Sequence, residues 1–275
     1  MRLRLPSASH PCSVLRVMDE GRKAELAQGI MDLAQSFWAG EGEIARTFWS
    51  VPRKPEEQVH WLRLQVFKEI YGSGLHANPD GIIRGFLDDL RADVERIETR
   101  ADREAYDRSL RVLREEFSHF RLFADILENI TKEPVRLDGL RTWQLGEDRK
   151  LGEVRGGCRE RNGRLGALAV GFTEGGGSSF FFVGRDIGGD PISEQIAQVC
   201  AVVFGDELEH GEHGAHELEA ALEAEEEWAQ VREMVVAICQ QRLRMRYEMF
   251  GLPIDEQRIA EITEGKIEPL LMTAS

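Results

Sequence analysis

Residues 192–210 read ISEQIAQVCAVVFGDELEH, and this stretch decides the fold. Ile192, Ile196, Val199 and Val203 recur at threes and fours, as one buried face of an α-helix requires. The same face then runs into Glu207 and His210. Residues three apart share a side of a helix, so Glu-x-x-His turns a carboxylate and an imidazole in one direction. Residues 112–130, VLREEFSHFRLFADILENI, repeat the arrangement: Val112, Phe123, Ile126 and Ile130 share a stripe with Glu116 and His119. A buried carboxylate or imidazole is costly unless it is paired or holds a metal. Two polar interruptions of identical spacing imply one shared site; unrelated surface pairs or a hydrogen-bonded core network are the alternatives. Asp206 and Glu209 are placed to accept from the second ring nitrogen of each imidazole.

Working outward, the apolar spacing predicts helices over Gly21–Ser50, Glu56–Tyr71, Gly81–Ile97 and Asp102–Ile130, the last two separated only by ETRAD. Residues 131–163 read as a long connection. A glycine-rich helix is expected over Arg164–Val183, with a strand around SSFFFV as the alternative. Asp190 is placed to cap the helix that begins at Pro191. A final helix is expected over Ala215–Phe250, closed by Gly251 and Pro253. The expectation is an all-α chain: a leader over 1–20, a helical domain over 21–250 and a tail over 251–275.

Composition narrows the function. Of 275 residues, 42% are apolar and 31% charged, as in ordinary folded proteins. The longest apolar stretches, such as Ala197–Phe204, fall far short of a membrane span. The N-terminal leader has no continuous apolar run after its arginines, so it does not read as a secretion signal. Cys12, Cys158, Cys200 and Cys239 are scattered, which points to free thiols in a reducing cytoplasm. A net charge of −14 without a basic cluster argues against nucleic-acid binding. The acid run Glu217–Glu227 reads as a solvated helix face.

Glu174 is the only acid between Arg164 and Phe182, and it shares a face with Ala167, Val170 and Phe181. It precedes Glu207 by 33 residues, close to the spacing that two antiparallel helices of roughly 20 Å give to matching positions. These residues resemble the ferritin-like diiron-carboxylate superfamily, whose four-helix bundle takes one Glu from each of two helices and a Glu-x-x-His from each of the others. The resemblance implies a ferritin-like four-helix bundle with additional helices. Its metal ligands would be Glu116, His119, Glu207 and His210, with Glu174 from the third bundle helix. For the first helix Glu41 is the leading candidate, within AGEGEIARTF, and this choice makes 55–100 an inserted segment. Its rivals are Glu43, Glu69, Asp88 and Asp89. His213 and His216 continue the spacing beyond His210 as extra ligands or as exposed residues.

Carboxylate and imidazole ligands suit two iron ions, and manganese or a mixed pair fits the same set. The functions implied are oxygenation of an organic substrate, iron or peroxide handling, and radical generation. A non-enzymatic helical interaction protein is the alternative from another class. Gly175–Gly177 favours the first, because each helical glycine costs roughly 1 kcal/mol relative to alanine and three together would leave room for a substrate. Iron storage would favour a bundle of about half this length. The expected partners are therefore O2 and a small organic molecule. The sequence shows no reductase domain, so electrons come from an external donor or from the substrate; a homodimer is compatible with it.

Overall fold

The computed structural model describes residues 18–272 except 73, 77, 175, 177, 212 and 213, with the side chains of 174, 208–211 and 214 outside the described set. Every regular element among the described residues is helical: α1 (Glu20–Trp49), α2 (Pro55–Tyr71), α3 (Ile82–Asp93), α4 (Arg100–Thr131), α5 (Leu137–Leu140), α6 (Gly146–Glu174), α7 (Ser178–Gly184), α8 (Pro191–Gly211), α9 (Gly214–Ala221), α10 (Glu225–Met249) and α11 (Glu256–Thr263). No described helix is long and apolar enough to cross a membrane.

Local chemistry sets most of the boundaries. Asp19 caps α1 by accepting from the Arg22 amide at 3.0 Å. Thr99 and Asp102 form a reciprocal capping box that starts α4 afresh, so α3 and α4 are two helices and not one bent one. Asp190 caps α8 through the amides of Ile192 and Ser193 at 2.9 and 3.1 Å, as its position before Pro191 implies. Gly251, at φ 63°, closes the turn after α10.

Four expectations are corrected. Residues 131–163 are not one connection, because helix resumes at Gly146. The glycine-rich helix is divided: α6 turns sharply at Gly163 (φ 51°) and ends at Glu174, and SSFFFV is the helix α7, not a strand. The C-terminal helix is split into α9 and α10 by residues 222–224. The tail contains α11, whose Ile259 and Ile262 are buried.

Two groupings share one hydrophobic core. On one side α4 packs against α2, α3 and α8, and α8 against α7. On the other, α6 lies along α10, and α1 joins the two by touching α7, α9, α10 and α11. Contacts across helix pairs give their directions. Trp61 meets Phe123 while Glu69 lies by Glu116, so α2 runs antiparallel to α4. His119 pairs with Asp206 and Asn129 with Gln195, so α8 also runs antiparallel to α4. Hence α2 is a direct neighbour of the first Glu-x-x-His helix.

Candidate metal centre

The inner face of α4 carries His119, Phe123, Ile126 and Leu127 into the core, with Glu116 one turn before His119 and half-buried. From α2, the face bearing Leu62 and Val66 brings Glu69 to the same place. Glu69, Glu116 and His119 each offer a ligand atom, and these atoms lie within 4.8 Å of one another. From α8, Asp206 reaches His119, and the charge of Glu207 acts on Glu69.

His119 is 1% exposed, and its Nε2 lies 2.9 Å from Asp206 Oδ2. A carboxylate accepts, so Nε2 donates, and in the neutral imidazole Nδ1 then carries the free lone pair. Nδ1 is buried and has no hydrogen-bond partner among the described residues. Buried polar atoms are nearly always satisfied. An acceptor nitrogen beside two carboxylates, its tautomer fixed by a third acid, has the arrangement of a metal-ligating histidine and its outer partner.

The electrostatics agree. Burial raises the Glu69 carboxyl well above the usual carboxylate range, and the charges of Glu116 and Glu207 push it further. A hydrogen bond from Gln65 Nε2 at 2.5 Å and the Lys68 charge act the other way without reversing the shift. Three carboxylates thus crowd one another where a divalent cation would relieve the repulsion.

Not every expected ligand is here. Glu41 is 1% exposed, but it is clamped between Arg242 (2.9 Å to Oε1) and Arg246 (2.7 Å to Oε2) of α10. With both oxygens engaged by guanidinium groups, Glu41 stands outside the Glu69–Glu116–His119 group. Glu43 is paired with Arg258 at 2.7 Å on the outer side of α1, and Asp88 and Asp89 are exposed on α3. Glu174 ends α6, a helix packed on α10, and His210 lies in the last turn of α8. The side chains of both lie outside the described residues, as does His213 entirely; His216 is exposed on α9.

No family model matches the chain, and no curated protein or solved structure does either. The site therefore rests on its own geometry. The signal for Glu69 was present in the sequence: Leu62, Val66 and Glu69 keep the four-and-three spacing of one face, on the helix preceding the first Glu-x-x-His. The partners of Glu41 carried no such signal, because Arg242 and Arg246 lie two hundred residues away and read as ordinary surface cations.

The glycine triplet also reads differently. Gly176 is buried at the break between α6 and α7, and a Cβ there would collide with the Trp38 indole. The neighbouring side chain fills the space at this glycine, so Gly176 permits close packing and does not open a cavity.

Proposed function

We propose that the chain is a dinuclear metal protein of the ferritin-like kind whose ions react with O2. The observation that carries the reading is the bare, buried Nδ1 of His119 held beside Glu69 and Glu116 by the Asp206 contact to Nε2. In this reading α2, α4 and α8 supply the site, with Glu174 from the end of α6. Glu69, Glu116, His119 and Glu207 hold the ions, and Glu174 and His210 complete the set by motif. Asp206 keeps the proton on His119 Nε2, so the ring can donate only through Nδ1.

Oxygen-rich ligands with imidazole suit iron and manganese, and such a pair when bound supplies redox chemistry toward O2. The chain itself fixes the carboxylates and keeps bulk water away: Phe123, Phe180 and Phe181 form a buried aromatic layer next to His119 on the core side. Burial and the neighbouring acids raise the Glu69 carboxyl, so a bound cation would favour its ionised form.

Metal analysis of protein loaded with Fe(II) without oxygen tests the reading. About two ions per chain, lost on His119→Ala with helical content retained, is the expected result. An absence of bound metal would return the histidines and acids to a core hydrogen-bond network in a non-enzymatic helical protein. Uptake of many iron ions per chain into a mineral would mean storage and not O2 chemistry at a fixed pair.

A further inference from the structure

The rings behind the candidate centre form a continuous series toward solvent. Phe123 lies one turn beyond His119 on the buried face of α4. Its ring meets Trp61 edge to face, with centroids 6.1 Å apart, and Trp61 meets Trp49 in the same way at 5.6 Å. Trp61 is fully buried, whereas Trp49, the last residue of α1, is only partly buried. Trp61 precedes Glu69 by eight residues on α2, about 12 Å along the axis at 1.5 Å per residue. A single buried amide joins the two indoles: Gln58 Oε1 accepts from Trp61 Nε1 at 2.7 Å and from Trp49 Nε1 at 3.3 Å.

Indole is among the most easily oxidised protein side chains, and an amide oxygen is too weak a base to remove a proton from an oxidised indole. It does stabilise the positive charge through the hydrogen bond. Two indoles sharing one acceptor, one of them buried near the candidate centre and the other near solvent, therefore suit transfer of single electrons without loss of protons. The packing alone asks only for apolar rings there, and phenylalanine would serve it without needing Gln58.

We propose that Trp61 and Trp49 are an electron relay between the candidate metal centre and the surface. The inference rests on the metal-centre reading above. In the relay, one electron leaves Trp61 for the oxidised centre, which is reduced by one. One electron then passes from Trp49 to the Trp61 cation, and a one-electron donor in solvent, such as ascorbate, refills Trp49 and is itself oxidised by one. No bond forms or breaks, and both indole N–H groups remain on Gln58. Without a donor, two electrons leave Trp49 in succession through Trp61 to the oxidised centre, and water adds to the ring with release of two protons, leaving a hydroxylated indole.

The test uses the full chain loaded with Fe(II) and exposed to O2 without organic substrate or ascorbate, followed by peptide mass spectrometry. Oxygen addition is expected at Trp49, suppressed by ascorbate, and reduced about tenfold in Trp61→Phe, the effect of ~1.4 kcal/mol on the transfer barrier. Trp228→Phe, which alters a buried indole outside the ring series, should leave Trp49 oxidation unchanged. Iron content is measured in each sample. Should Trp61→Phe lose iron, Gln58→Leu is the second variant, which keeps both rings and removes the shared acceptor; it too should lower Trp49 oxidation. A wild-type protein that binds iron and consumes O2 while Trp49 stays intact would overturn the relay and leave the centre standing. So would Trp49 oxidation undiminished by both variants. A chain that takes up no iron would overturn the centre itself, and the relay with it.

Discussion

Glu41 and Glu69 are both glutamates on the inner faces of long helices, and they are buried to a similar degree. Their neighbours are opposite in sign. Burial pushes the Glu41 carboxyl up, but the adjacent charges of Arg242 and Arg246 outweigh it and hold the group below its ordinary value. At Glu69 burial acts the same way, and the nearest charges, Glu116 and Glu207, add to it. An acid interrupting an apolar stripe therefore shows only that a partner is required. The charge of the surroundings decides what kind: Glu41 has its cations built in, and Glu69 has acids for neighbours.

Exchanging the two losses gives the sharpest test. Glu69→Ala should abolish metal uptake and leave the metal-free fold intact. Glu41→Ala should leave uptake per folded chain unchanged and cost about 3–5 kcal/mol in urea unfolding, because two buried guanidinium groups lose their counter-ion. Loss of metal from folded Glu41→Ala protein would break the distinction.

Acid sharpens the same contrast. A carboxyl whose folded pKa is lowered contributes stability above its unfolded pKa and loses it as pH falls through the folded value. The stability difference between wild type and Glu41→Gln should accordingly be largest near neutrality. It should shrink below about pH 4, the ordinary carboxylate range. Urea midpoints measured across that interval check it, and a difference independent of pH would mean that the Glu41 charge does not matter.

Asp206 separates orienting a ligand from being one. Asp206→Ala should weaken metal binding by about 10–100-fold without abolishing it, as loss of an outer partner of a ligating histidine does. Titration with Fe(II) or Mn(II) reads this, and an unchanged affinity would show that His119 needs no help from α8. The smallest effect belongs to Glu43, the near neighbour of Glu41. Its pairing with Arg258 is partly exposed, so Glu43→Ala should cost no more than about 1 kcal/mol in thermal or urea unfolding and leave metal untouched.

Much of this could be read from the chain. The spacing of apolar residues located α1, α2, α4 and α8, and the repeated Glu-x-x-His drew attention to α4 and α8 before any coordinates. Asp190 was legible as a local cap, and Asp19 and the Thr99–Asp102 box, also beside the amides they serve, went unread. The start of α6 was hidden for the opposite reason. Its first amides, Gly146 and Glu147, are capped by the carboxylate of Glu248 at 3.2 and 2.6 Å, a residue a hundred positions later. The choice of Glu41 over Glu69 failed similarly, since both sit on good apolar faces and only the distant arginines distinguish them.

That long-range cap, with the arginine clamp on Glu41, has a consequence for the order in which the protein acquires its shape during synthesis. Both devices depend on α10, which leaves the ribosome after every other long helix. Until it arrives, α6 has no cap for its first turn, and the inner side of α1 carries an acid with neither guanidinium partner. A nascent chain ending before residue 225 therefore keeps that half of the molecule open, even though α2, α4 and α8 have already been made. The helices that bring Glu69, Glu116 and His119 together precede α10 in the chain, and the half that rests on α10 cannot close before it is made.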